Sequence, residues 1–287
     1  VPELPEVETM VRGLRPVMVG RVLLRLEVLD PFLLKDCDPE RLRAQAEGRR
    51  IRAVSRRGKW VVLDGHDETT RDGGVLVIQP RMTGGFRLDE PDPPPHARVL
   101  FEVLDAPQPR HVWFTDIRRL GRLTWHPTPD AAEAAFERSH GPDALTISRE
   151  QLTQALRATH RAIKPALMDQ KVVAGIGNIY ADEIVFEAGL HPGRVASELR
   201  PRDFARLHPA ISRVLLAAIE AEGSSFDAGY RTVLGLEGGF LAQNHLYGRA
   251  GSPCRRCSTT IEKIKLPGLL GRPTYWCPTC QPIRPRR

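Results

Sequence analysis

Two Cys-x-x-Cys pairs, Cys254/Cys257 and Cys277/Cys280, stand nineteen residues apart (258–276) near the end of the chain. That spacing is the one a four-cysteine zinc site requires. Four thiolates in a tetrahedral shell leave no open position, so the expected cofactor is one structural Zn2+ and not a catalytic ion. Disulfides are the competing reading, but a single further cysteine, Cys37, standing apart from the pairs fits a metal site in a reducing cytoplasm better than a disulfide framework. The segments 261–265 and 273–276 read as the two strands of a hairpin between the pairs. Arg255, Arg256, Lys263, Lys265 and Arg272 make it basic. Arg272 lies at the turn, where it can reach a phosphate. This part of the chain should need zinc to fold.

The whole chain is basic too, with 42 Lys and Arg against 35 Asp and Glu and a net charge of +7. An excess of that size points weakly to a polyanionic partner. No stretch approaches the ~20 apolar residues of a membrane span. The opening is acidic where a signal peptide is basic, so none is expected.

That opening, VPELPEVE, sets Pro2 within one residue of the N-terminus, followed by Glu3 and Glu6. With residue 1 removed, Pro2 presents a secondary amine. An α-amino group titrates near ~8, well below the ~10.4 of lysine, so part of it is unprotonated at neutral pH. Such an amine attacks an electrophilic carbon and goes on to an iminium intermediate, with the two glutamates as acid–base partners. The alternative is that Pro-Glu-x-Pro-Glu merely starts a helix, since proline suits a first turn and acids favour its dipole. Leu4, Val7, Met10, Val11 and Leu14 do form a helical stripe over residues 3 to about 15.

From Gly20 to about Trp125, short apolar runs separated by Gly, Pro and Asp predict strands of a sandwich or barrel, at 22–28, 51–55, 60–63, 75–78, 99–104 and 112–115. Three features stand out there. Lys59 heads an apolar strand, where by itself it reads as a solvated lysine that blunts a sheet edge. Met82 sits in a Gly-rich turn, as a gap-filler or as a wedge between bases. Asp116-Ile117-Arg118-Arg119-Leu120-Gly121 offers Leu120 as a second wedge and Arg118 to fill vacated space. A Pro-, Ala- and Asp-rich linker is expected over about 126–145. Helices follow at 149–159, 163–170, 179–188 and 204–222. Gly175-Ile176-Gly177-Asn178 between two of them leaves amides free for a phosphate. Asn178 either caps the helix or bonds that phosphate. Lys164 and Lys171 lie nearby as further candidates. The glycine-rich 223–243 segment is either a functional lid or disordered.

In one order, PELPEVE, the GKW lysine, DIRRLG, IKPALMDQKVVAGIGNIYADE, YGR at 247–249 and the four-cysteine hairpin resemble the formamidopyrimidine-DNA glycosylases (Fpg/MutM) of the Fpg/Nei family over nearly the whole chain. The resemblance implies an α+β multidomain protein. Its parts are an N-terminal catalytic β-sandwich with a flanking helix (1–130), a helix–two-turns–helix domain with a lesion lid (131–243) and a zinc finger (244–287), flanking a DNA cleft. It implies a bifunctional glycosylase and abasic-site lyase of base excision repair. Such an enzyme removes oxidised purines from duplex DNA by a Pro2 Schiff base and β,δ-elimination. Glu3 would protonate the sugar ring oxygen, Glu6 would hold the N-terminal helix, and Lys59 would contact the phosphate beside the lesion. Asn178 and Arg272 would grip the phosphates around the flipped nucleotide, and Met82, Arg118 and Leu120 would fill the void it leaves.

The chain departs from the family pattern in three places. Val1 stands where relatives have a cleaved initiator methionine, as a GTG start written as valine would give. Leu120 replaces an aromatic, and Gln79-Pro80-Arg81 precedes Met82 where relatives carry an apolar residue and glycine. The alternatives are a Nei-like enzyme for oxidised pyrimidines and, with Val1 retained, a zinc-dependent DNA-binding protein without catalysis. A monomer is expected, in a bacterial cytoplasm at the nucleoid, whose partner is duplex DNA carrying oxidised bases or abasic sites.

Overall fold

The computed structural model describes residues 2–67, 73–105, 107–225 and 230–283. Among them no helix is long and apolar enough to cross a membrane. The chain divides into two compact units, one of Val1–Arg138 with Ala221–Gly239, the other of Ser139–Glu220 with Phe240–Arg287. This differs from three consecutive segments. The helices from residue 149 to 220 and the zinc hairpin fall in one unit, and most of the glycine-rich segment returns to the N-terminal one.

In the first unit, helix α1 (Leu4–Met18) buries Leu4, Val7, Met10, Val11 and Leu14, the stripe its period predicts. Strands β1 (Leu23–Val28), β5 (Gly84–Leu88), β6 (Ala97–Val103) and β7 (Arg110–Asp116) form one sheet in the order β1-β6-β7-β5. A second sheet has the order β2-β3-β4-β8, from β2 (Arg50–Arg57), β3 (Trp60–His66), β4 (Gly73–Gln79) and β8 (Arg122–His126). Both are antiparallel throughout. Leu26, Phe86, Phe101 and Phe114 of the first sheet share a single core with Val54, Val61 and Ile78 of the second and with α1.

Strand β4 shows why its sequence is an unbroken apolar run where an alternation would be usual. Leu76 and Ile78 enter the shared core, while Val75 and Val77 pack on the other face under Ala132. Ala132 belongs to α3 (Pro129–Ser139), which corrects the linker expected over 126–145. Only Ala132 and Phe136 of that helix are buried, four residues apart. So short a stripe is hard to see in sequence, yet Phe136 meets Trp60 edge-on at 5.1 Å. Helix α2 (Pro39–Ala46), begun by the Asp38 carboxylate accepting from Arg41 N at 2.8 Å, was equally faint, with Leu42 and Ala46 its only buried residues.

The second unit holds α4 (Arg149–Arg157), α5 (Ile163–Met168), α6 (Asn178–Glu187), α7 (Pro201–Glu220) and the hairpin of β9 (Glu262–Lys265) and β10 (Pro273–Trp276). Helix α6 is buried along its whole length, Ile179 through Phe186. That includes Asp182 and Glu183, two charges that must therefore find partners.

The returning segment is anchored on α1 by a close fit. Val233 Cγ2 lies 2.1 Å from where a Cβ on Gly13 would stand, and Val233 is 4 % exposed. Helix propensity alone would make Gly13→Ala stabilising by about 1 kcal/mol. The overlap reverses the sign, and we expect the substitution to cost roughly 1–3 kcal/mol in urea unfolding, most of it regained with Val233→Ala. A more stable Gly13→Ala protein would show that the segment does not pack there in solution.

Candidate active site and phosphate contacts

The first unit brings Pro2, Glu3 and Glu6 together at the start of α1. Pro2 is buried, and Glu3 and Glu6 are 3 % and 1 % exposed. Glu6 reaches in two directions, its Oε2 accepting from Glu3 N at 2.8 Å and its Oε1 from Ser224 N at 2.7 Å. One carboxylate thus ties the helix start to the returning segment. Gly223 has φ +84°, and a Cβ there would stand 2.9 Å from Glu6 Oε1, so only glycine fits. Farther along, the Tyr230 hydroxyl donates to Glu222 O at 3.1 Å. Burial, and secondarily the Glu6 charge, push this phenol well above its usual range. Val1 and residues 226–229 of the expected lid lie outside the described residues.

Lys59 is half-buried in the two-residue turn Gly58-Lys59 joining β2 and β3, where Gly58 takes φ +55°. Strand β3 lies between β2 and β4, so the lysine does not blunt an edge. Arg56 fixes this turn, with Nη1 donating to Gly58 O at 2.9 Å and Nε to Glu8 Oε2 on α1 at 3.1 Å.

Met82 and the 117–121 turn stand side by side because Gly84, which opens β5, pairs with Asp116, which closes β7. Met82 and Arg118 are exposed and Leu120 is half-buried, with Arg118 Nη1 3.4 Å from Met82 Sδ. Gly84 N donates to Pro80 O at 2.9 Å, and a Cβ on Gly84 would meet that oxygen at 2.4 Å. The turn closes only with glycine there.

In the second unit the turn before α6 is folded by Gln170. Its Oε1 accepts from Gly175 N at 2.9 Å, and its Nε2 donates to Met168 O and Ile176 O, each at 2.9 Å. Gly177 takes the cap position and Asn178 is the first helical residue, so Asn178 is not the cap. Its Nδ2 donates to the Tyr247 hydroxyl at 3.3 Å. Tyr247 is held in turn by Glu183, whose carboxylate accepts from His245 N, Leu246 N and Tyr247 N at 2.8–2.9 Å. Nothing in a sequence period marks Glu183, though a charge inside an apolar helix is the signal that could have found it. Arg272 is exposed, next to the start of β10.

Lys164 is a correction. Its side chain is 0 % exposed and 2.9 Å from Asp182 Oδ1, and Nζ donates to Pro273 O at 2.8 Å. Its ammonium is committed to the interior, not to a phosphate. Asp182 also accepts from Tyr275 N at 3.1 Å, so the pair links α5, α6 and β10. Burial pushes the Asp182 carboxyl up to about 7, with Lys164 pulling it back.

The Cys254, Cys257, Cys277 and Cys280 sulfurs all lie within 4.8 Å of one another. A tetrahedral Zn2+ with bonds of ~2.3 Å sets sulfurs about 3.8 Å apart, and the two measured separations, 4.0 Å for Cys254–Cys280 and 3.4 Å for Cys257–Cys277, bracket that value. The donor set fits one structural ion. Gln281 ties this knuckle to the end of α6, its Oε1 accepting from Cys277 N at 2.9 Å and its Nε2 donating to Leu190 O at 2.8 Å. Cys37 stands apart, half-buried, with its thiol donating to Asp38 O at 3.3 Å.

The buried pair gives an asymmetric prediction. Asp182→Asn strands an ammonium and should cost roughly 3–5 kcal/mol. Lys164→Met strands a carboxyl that can take up a proton. A carboxyl whose folded pKa lies above its unfolded ~3.9 stabilises at low pH and loses that contribution as pH rises through the folded value. Urea unfolding should therefore find Lys164→Met milder at pH 5 than at pH 8, and the double variant milder than the sum of its parts. Additive losses would mean the pair is not formed.

Comparison with known proteins gives three matches in chain order. The formamidopyrimidine-DNA glycosylase N-terminal domain matches residues 1–123, the H2TH domain of the same enzyme residues 140–228, and the zinc finger found in FPG and IleRS residues 251–283. A formamidopyrimidine-DNA glycosylase of Deinococcus radiodurans is 39% identical over 297 residues, covering 100% of this chain and 99% of that protein. The crystal structure of the MutM (Fpg) protein from Thermus thermophilus superposes with a TM-score of 0.83 at 38% identity, over 99% of this chain and 100% of that one. Lactococcus lactis Fpg, solved in complex with an abasic-site-containing DNA, gives 0.85 at 31% identity, over 98% of this chain and 100% of that one.

Proposed function

The chain belongs to the formamidopyrimidine-DNA glycosylase family, and we propose that it is a bifunctional glycosylase and abasic-site lyase that removes oxidised purines from duplex DNA through Pro2. The observation that carries the reading is the start of α1, where Pro2 adjoins the buried Glu3 and Glu6 holds Glu3 N at 2.8 Å. With residue 1 absent, the Pro2 amine attacks C1′ of the flipped nucleotide and the bond to the base breaks. Glu3 delivers a proton to the ring oxygen, the sugar opens, and the nitrogen lone pair forms the iminium. Loss of a C2′ proton then expels the 3′ phosphate, and a second elimination expels the 5′ phosphate, leaving a one-nucleotide gap. Glu6 is a positioning residue in this scheme.

Phosphate contacts set the strand and carry no sequence information. Lys59, Asn178 and Arg272 take that role, Lys59 and Arg272 on turns and Asn178 at the first position of α6. Asn178 adds the amino-terminal end of α6, where backbone N–H groups favour an anion. Met82, Arg118 and Leu120 occupy the space left by the flipped base. The glycine-rich 223–243 segment, tied to Glu6 at Ser224, is assigned as the lid for an oxidised purine. Zinc supplies only the fold of the hairpin that presents Arg272, and removing it with a chelator should weaken binding and activity together.

Borohydride trapping on a duplex containing 8-oxoguanine, with intact-mass analysis of the same preparation, tests the chemistry. A covalent adduct on protein lacking residue 1, mapped to Pro2 and strongly reduced by Pro2→Gly while DNA binding persists, is the expected outcome. An adduct that peptide mapping places on a residue other than Pro2 would overturn the nucleophile, and trapping confined to oxidised pyrimidines would overturn the substrate class. As for the contacts, Arg272→Ala should lower the slope of log affinity against log salt by about 0.9, the share of one phosphate. An unchanged slope would remove Arg272 from the interface.

A further inference from the structure

We infer that Asp116 and Thr83 form a latch that sets the two void-filling turns in register, and that the Thr83 hydroxyl is a positioning group for base eversion. The inference rests on reading Met82, Arg118 and Leu120 as the residues that fill the gap. Those side chains belong to two separate turns, so acting together requires something rigid between them. Asp116 is 0 % exposed and stands at the junction. Its Oδ1 accepts the hydroxyl of Thr83, the residue after Met82, and also Arg118 N at 3.2 Å. Its Oδ2 accepts from Gly121 N at 2.6 Å, the residue after Leu120.

Thr83 Oγ1 itself accepts from Arg118 N at 3.1 Å. The hydroxyl is thus donor to the carboxylate and acceptor from the neighbouring turn, and it is the one side chain of the Met82 turn in this network. The backbone supports the same geometry. Asp116 N donates to His96 O at 3.0 Å, and Arg98 Nε donates to Asp116 O at 2.9 Å. A Cβ on Gly121 would meet Phe114 at 3.0 Å and Asp116 Oδ2 at 3.1 Å, so the far turn is pressed onto the carboxylate. A charged acceptor of three hydrogen bonds inside a buried pocket is a stiff anchor. Neither Asp116 nor Thr83 needs to touch DNA to act, since each acts through the turn it fixes.

Asp116 variants risk misfolding, so the test uses Thr83. Valine keeps the shape and removes the hydroxyl, whereas serine keeps the hydroxyl. The readout is the stopped-flow fluorescence of 2-aminopurine placed beside 8-oxoguanine in a duplex, which reports unstacking on eversion, alongside strand cleavage at a preformed abasic site. Thr83→Val should slow the fluorescence phase roughly fivefold, the scale of one lost hydrogen bond, with less than a twofold change in abasic-site cleavage. Thr83→Ser should restore the rate. Leu120→Ala serves as the control for the probe reading itself. If Leu120→Ala slows eversion and Thr83→Val does not, the latch is overturned while the probes stand. If neither slows it, the probe reading fails and the latch with it. A serine variant as slow as valine would show that the methyl, not the hydroxyl, matters, and would also overturn the inference.

Discussion

A carboxylate removed from water must be met by donors, and the first unit is arranged around how Glu6 satisfies that demand. Its two oxygens take the N–H of Glu3 and the N–H of Ser224, residues more than two hundred positions apart. The helix that carries Pro2 and the segment that returns to cover it are therefore one structural object. Gly223 exists as glycine for the same reason, because the carboxylate fills the space a side chain would need. Val233 against Gly13 repeats the contact with apolar atoms two turns along the same helix face.

The second unit solves the same problem on α6. Asp182 and Glu183 are neighbours on a helix with no exposed face, and each recruits a different stretch of backbone. Asp182 takes Lys164 and the β10 backbone, which sets the stretch beginning at Pro273, directly after Arg272. Glu183 takes three consecutive backbone N–H groups ending at Tyr247, whose hydroxyl accepts from Asn178. Two charges that look like liabilities thus hold the backbone beside two of the three groups proposed for the phosphates, Asn178 and Arg272. Gln281 does for the zinc knuckle what Gln170 does for the turn before α6, as a neutral side chain that bonds backbone on both sides.

Much of this was legible in the residues. The cysteine spacing gave the metal cluster, the apolar runs gave most of the strands, and the stripe from Leu4 to Leu14 gave α1. Helices α2 and α3 escaped because each buries only two side chains, too few to make a period. Lys164 was misread because a lysine beside a glycine-rich turn looks like a phosphate ligand in one dimension. What decides its role is Asp182, eighteen positions on and facing it across two helices. Asp116 was visible only as the start of a basic turn, since an antiparallel register places it opposite Gly84 and sequence order does not.

The first unit is also discontinuous. Its residues up to 138 are made first, yet Tyr230 and Val233, members of its core, and Ser224, the second partner of Glu6, are made only after the helices of the other unit. Chains are synthesised from the N-terminus and fold as they emerge. The sandwich must therefore wait, incomplete beside α1, until four-fifths of the protein has left the ribosome. The carboxylate of Glu6 gains its second donor late, so a truncated product of interrupted synthesis has the start of α1 without the segment that completes its surroundings.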